Sequence, residues 1–168
     1  LDHARVVLLR RVTAASQGEA EKIASYQVLQ VARSGNTLQL TSAIDEAFLA
    51  RGGGEKLDSL TVGISIPIDV DVEVATERGD VTVDTMTADV RATTERGRVR
   101  FGKIQGDVWA RSTGGGIYAT EGTTGELDLM SKHGTICLDK ATGSARLRAS
   151  DGDIYLLRNS GQVSAHAT

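Results

Sequence analysis

The chain has 168 residues, enough for one domain with a real core and too few for two comfortable ones. A formal net charge of −3 and a pI near 5.6 point to neither nucleic acid nor an anionic membrane as partner, so the basic residues must act locally if they act at all. A single cysteine, Cys137, excludes an internal disulfide and leaves the compartment open, and the absence of an eighteen-residue apolar run predicts no transmembrane segment.

The chain opens at Leu1 without a methionine or a leader, as a processed or trimmed chain would. ARVVLLRRVTA from Ala4 reads as a strand. Ser16 followed by Glu19 is a capping box, and it predicts a short amphipathic helix through about Ser25. YQVLQVAR from Tyr26 and TLQLTS from Thr37 flank Ser34-Gly35-Asn36, which has the chemistry of a hairpin turn. Residues 51–56, with Gly52, Gly53 and Gly54, read as a flexible excursion before LTVGISIPIDVDVEV. Pro67 cannot donate to a ladder, so it belongs at an edge or at the start of a rung. Residues 1–70 are thus expected to form a strand–helix–hairpin segment that leads into, and caps, the remainder.

From Asp71 an eighteen-residue unit recurs, beginning at Asp71, Asp89, Asp107, Glu126 and Ser144, with the stub QVSAHAT after the fifth and one extra residue in the third. The ninth position is always glycine: Gly79, Gly97, Gly115, Gly134 and Gly152. That recurrence predicts a turn with positive φ. Apolar residues fill positions two and four before the glycine and eleven and thirteen after it, as in Leu127, Leu129, Ile136 and Leu138. Period two means strands with one face inward. A second glycine closes four of the five units, at Gly106, Gly125, Gly143 and Gly161.

Units so alike favour stacking residue n over n+18, which buries an apolar column that no unit could bury alone. The expected fold is therefore mainly β, a parallel β-solenoid (β-helix) of about 18-residue rungs over residues 71–168, forming one folding unit with the preceding segment. At ~4.8 Å per rung it would be a rod of roughly 25 to 30 Å. An antiparallel sandwich or meander is the competing architecture, since hairpins also alternate.

With these residues laid out, IPIDVDVEVATERGDVTV from Ile66 and the apolar-x-apolar, glycine, apolar-x-apolar units resemble a bacterial adhesin-type family of β-strand-repeat domains of unknown function, similar to adhesin heads. The resemblance covers nearly the whole chain. It implies a bacterial cell-envelope or surface location, periplasmic or extracellular, and an interaction role with a glycan or an envelope protein. It brings no catalytic motif and no cofactor.

Enzymes on β-helices that act on polysaccharides set carboxylates side by side on an outer face. The outward ladder at position three is Glu73, Arg91, Trp109, Asp128 and Arg146. At position five it is Ala75, Thr93, Arg111, Met130 and Arg148, and at position twelve Thr82, Arg100, Tyr118, Cys137 and Tyr155. None of the three holds carboxylates on adjacent rungs, so an enzyme is not expected; a polysaccharide-active β-helix enzyme is the rival reading, which a carboxylate pair facing one groove would revive. His3, His133 and His166 share no repeat position, which argues against a metal site. Gly114-Gly115-Gly116 lacks the aspartate of a calcium roll, and Asp151-Gly152-Asp153 reads first as a polar turn. Cys137 should point outward between Tyr118 and Tyr155 without activation.

Two features stand above this background. Trp109, the only tryptophan, is expected outward beside Arg91 and Arg111, and with Tyr118 and Tyr155 it makes up the candidate ligand-binding set for a sugar or protein. Arg91, Arg98, Arg100, Arg111, Arg146 and Arg148 form a basic stripe in an acidic chain. The plainer readings are a tryptophan covered by the leading segment and a solvated strand face. The unfinished last rung is a third feature: either the natural chain continues beyond it, or its strand edge is open to self-association.

Overall fold

A computed structural model of the chain describes residues 5–12, 16–34, 37–44 and 57–168. Two compact units emerge, one comprising Leu1–Gln30 with Thr41–Pro67, the other Val31–Leu40 with Ile68–Thr168. In the first, β1 (Arg5–Val12) pairs antiparallel with β4 (Leu57–Ser65), with Leu9 opposite Thr61 and a register shift between Arg11 and Val12. The helix α1 (Gln17–Ser25) starts where expected: the Ser16 hydroxyl accepts the Glu19 amide at 3.3 Å, satisfying one of the orphan donors of the first turn. The turn residues Gly35 and Asn36 and the glycine-rich excursion at 51–56 lie outside the described residues.

In the second unit the repeats coil as a parallel β-solenoid of about five turns. Each rung contributes one strand to a long sheet: β5 (Asp71–Arg78), β7 (Val90–Arg96), β9 (Val108–Ser112), β11 (Leu127–Ser131), β13 (Ala145–Ala149) and β15 (Val163–Ala167). The hairpin strands β2 (Gln27–Ser34) and β3 (Thr37–Ile44) continue this sheet beyond β5. A short sheet carries β6 (Val81–Val83), β8 (Val99–Phe101), β10 (Ile117–Ala119), β12 (Ile136–Asp139) and β14 (Ile154–Leu157). Neighbouring rungs pair in parallel and in register, Val90 on Val108 on Leu127 on Ala145, which excludes the antiparallel alternative. Pro67 sits between β4 and β5, outside both strands, where its missing N–H costs no ladder bond.

The alternating strand residues line the core as their period requires. Ile117, Leu129, Ile136, Leu138 and Leu147 are fully buried, and burial of each such side chain is worth about 1.5–3 kcal/mol. A third side of the coil has no counterpart in the period-two pattern. Met86, Ile104, Thr123 and Ala141 bridge one another rung to rung and are buried. With one inward residue per rung, this side leaves no alternation to detect.

The ninth-position glycines are explained differently from the expectation. Only Gly79, in the first rung, has a left-handed φ, at 135°. At Gly97, Gly115, Gly134 and Gly152 an added Cβ would collide with the backbone of the equivalent glycine one rung earlier. Gly125, Gly143 and Gly161 meet the same obstacle at the second turn. These glycines let stacked turns approach, which is the other use of a missing Cβ. The left-handed positions fall elsewhere, at Gly122, Lys140 and Arg158, in successive rungs just before or in line with the third side.

Polar side chains complete the stacking. Thr94, Ser112 and Ser131 are buried, and each hydroxyl donates to the carbonyl of the turn glycine in the previous rung, at 2.9 to 3.1 Å. Asp71, Asp89 and Asp107, which begin three units, each accept the backbone N–H that begins the next one, at 3.1, 2.8 and 2.8 Å. Buried Asp139 is clasped by Arg158 of the following rung through Nε at 3.0 Å and through Nη2. Those hydrogen bonds, with the charge of Arg158, hold the Asp139 carboxyl below its ordinary range and raise Arg158.

Candidate functional site: an arginine–tryptophan cluster on the long sheet

On the first strand of each rung positions two and four face the core, so position three forms a ladder on the outer face of the long sheet. Arg91 of β7 pairs with Trp109 of β9, which pairs with Asp128 of β11 and then Arg146 of β13. Trp109 is half-buried. The Arg91 guanidinium lies 4.8 Å from the centre of its ring, and that of Arg111, two residues along the same strand, lies at 4.5 Å. Both are within reach of the indole quadrupole. Asp128 receives Arg146 at 3.9 Å and Arg148 at 3.8 Å. An open groove of about 740 Å³ runs across the starts of these strands, lined at position three by Glu73, Arg91, Trp109, Asp128 and Arg146 and at position one by Asp71, Asp89, Asp107 and Glu126.

The candidate residues do not form one site. Arg91, Trp109 and Arg111 come together on the long sheet, whereas Tyr118 and Tyr155 belong to the short sheet, in the ladder Arg100–Tyr118–Cys137–Tyr155. There Arg100 stands 5.8 Å from the Tyr118 ring, and Tyr155 is exposed. The basic stripe divides the same way. Arg91, Arg111, Arg146 and Arg148 share the long-sheet face, Arg100 is on the short sheet, and Arg98 occupies the turn between them. Cys137 is free and stacked between the two tyrosines, as its position predicts.

The row of acids at position one escaped the sequence reading, which weighed only positions three, five and twelve. Its signal was available, because three consecutive units begin with aspartate and a fourth with glutamate. Three of these side chains have a structural task as acceptors for the next rung. Among the described residues no group of histidine, cysteine and carboxylates could hold a metal. His133 instead contacts Asp151 across adjacent turns at 2.8 Å, and His166 is exposed on β15, while His3 lies outside the described residues.

A fold of stacked glycine-turn rungs, led by a strand, a helix and a hairpin, can now be compared with known proteins. The profile of the Toastrack DUF4097 family matches residues 8–168. The chain belongs to this family. No curated protein and no solved structure matches it. The Toastrack assignment agrees with the solenoid and with a domain of unknown function. Among its described residues no helix is long and apolar enough to cross a membrane.

Proposed function

We propose that this Toastrack domain is a non-catalytic module of the bacterial cell envelope or surface, adhesin-like or scaffolding, which binds a glycan or an envelope protein through its outer faces. The observation that carries the reading is the pair of arginines held over Trp109 beside an open groove. An aromatic with flanking guanidiniums is the composition of a recognition surface. Carboxylates on adjacent rungs facing one groove are also what the rival reading, a polysaccharide-active enzyme, would use; one oxygen of Asp71, Asp89 and Asp107 is committed to a backbone amide of the next rung, a structural task that fits a non-catalytic module.

A screen of the purified chain against a glycan array and anionic vesicles tests this, run beside Trp109→Ala and Arg111→Ala. Binding by the parent that disappears in both variants supports the long-sheet face. Binding that both variants retain moves the function elsewhere, and cleavage of any glycan overturns the non-catalytic reading.

A second reading is self-association through the last rung. Its test falls on β14, whose Leu156 pairs in register with Leu138. Concentration-dependent mass in light scattering, abolished by Leu156→Glu, is its expected signature.

A further inference from the structure

The four arginines of the long-sheet face are two different pairs. Arg146 and Arg148 share Asp128, so their charge is partly neutralised. Arg91 and Arg111 have no carboxylate within salt-bridge distance among the described residues, and their described partner is the Trp109 ring. A guanidinium over an indole uses its face, while its five N–H donors point outward in its own plane. The stack therefore fixes two cations in position and leaves their hydrogen-bonding capacity unspent.

The position-one ladder of the groove has complementary chemistry. Asp89 and Asp107 precede Arg91 and Trp109 by two residues on the same rungs, roughly 7 Å away along the chain. Each commits one oxygen to the next rung at 2.8 Å, and the other oxygen is left as an acceptor. Six of the side chains lining the groove are carboxylates and two are guanidiniums, Arg91 and Arg146, while Arg111 stands beside the lining, over the Trp109 ring. A polyanion laid along it would be repelled over most of its length. A ligand with one carboxylate and several hydroxyls matches both ladders: the carboxylate takes bidentate hydrogen bonds from the arginines, and the hydroxyls donate to the aspartates. A uronic acid carries both groups on one sugar ring.

We infer, on the reading that the long-sheet face is the binding surface, that Arg91 and Arg111 clamp the carboxylate of a uronate-containing glycan, with Trp109 as the residue that positions them. The rim aspartates orient the sugar through its hydroxyls. Arg146 and Arg148, already paired, lie outside the clamp.

Calorimetric titration of the full chain with a neutral xylo-oligosaccharide that bears a single glucuronate, and with its methyl ester, tests the inference without altering the protein. Esterification is expected to weaken binding roughly tenfold to a hundredfold, the scale of a lost charged hydrogen-bond pair. Arg111→Ala should do the same, Arg100→Ala on the short sheet should not, and Trp109→Phe should keep most of the affinity that Trp109→Ala loses. Thermal melts matching the parent establish that each variant is folded. Equal binding of acid and ester overturns the carboxylate clamp. If Trp109→Ala still abolishes binding in that case, the long-sheet surface survives and only the ligand chemistry is wrong. Equal loss in Arg100→Ala and Arg111→Ala, or no binding of the single-glucuronate oligosaccharide by the parent, also overturns the clamp, and failure to bind any other glycan or envelope protein through this face removes the surface with it.

Discussion

Inside the coil a position keeps its character from rung to rung. Val81, Val99, Ile117, Ile136 and Ile154 make one aliphatic column along the short sheet. One residue along, on the outside, the same register reads Thr82, Arg100, Tyr118, Cys137 and Tyr155, and no two neighbours are alike. The spacing that generates both is identical, so the difference lies in what each side contacts. An inner residue touches its own equivalents above and below, and a change in one rung is felt by two others. An outer residue touches solvent on one side and can vary to suit a ligand. The interior should therefore be intolerant and the outer ladders permissive, with specific binding as the exception.

The sharpest way to break this contrast is at a turn. Gly115→Ala places a methyl group on the Gly97 carbonyl and leaves it nowhere to go, so the rungs must part. A loss of more than about 4 kcal/mol in urea denaturation is expected. Gly79→Ala, in the first rung, has nothing closer to its new Cβ than the Thr76 hydroxyl at 3.9 Å, and only its φ of 135° is unfavourable. It should cost about 1–3 kcal/mol. Equal losses at the two sites would mean that backbone conformation, not close approach, explains the repeated glycine.

Next in size is the column itself. Leu138→Ala, at a fully buried position, should cost about 2–5 kcal/mol, and Leu156→Ala, with the same side chain one rung later and 43% exposed, less than about 1 kcal/mol. The outward Arg100→Ala should stay within about 0.5 kcal/mol. A Leu156→Ala loss that approached that of Leu138→Ala would show the last rung to be covered in solution.

These pairs also show what the sequence could disclose. Strands, register and rung length were legible because Val, Ile and Leu recur at positions two, four, eleven and thirteen, and period two has one physical meaning. The capping contact of Ser16 and Glu19 was equally plain. The third side was not, since Met86, Ile104, Thr123 and Ala141 are single residues of unlike type. The glycines were visible but their reason was hidden, because positive φ and close approach leave the same trace in one chain. At the candidate site, the neighbours of Trp109 followed from the register. The separation of Tyr118 and Tyr155 onto the other sheet was implicit in the repeat positions three and twelve, yet a list of aromatic residues does not display it. Which arginines are neutralised depends on side-chain reach toward Asp128, and no spacing encodes that.

A charge at the edge of the interior sharpens the comparison through pH. The Asp139 carboxyl, drawn below its ordinary range by Arg158, is ionised in the fold at pH values where the unfolded chain would already bind a proton. Its contribution is present above the unfolded carboxylate pKa of about 3.9 and is lost as pH falls through the lower folded value. Asp139→Asn should therefore flatten the acid limb of the stability profile. Identical acid limbs in the parent and Asp139→Asn would remove the pair from the account.

The smallest expected effect tests whether interior intolerance is about shape or about polarity. Thr123 is fully buried between Ile104 and Ala141, and its hydroxyl has no hydrogen-bond partner among the described residues. Ser131 is equally buried, but its hydroxyl donates to the Gly115 carbonyl at 2.9 Å. Thr123→Val keeps the volume and removes an unpaired polar group, so it should be neutral or stabilise by up to about 1 kcal/mol. Ser131→Ala removes a made bond and leaves an acceptor short, and should destabilise by about 1 kcal/mol. Each substitution takes one hydroxyl from the same core, Thr123→Val by exchange for a methyl group and Ser131→Ala by deletion. Opposite signs in paired denaturation curves would show that stacked rungs accept any residue of the right volume whose polar atoms are answered. A destabilised Thr123→Val would show instead that the hydroxyl is answered in solution, and that the third side is held by more than apolar contact.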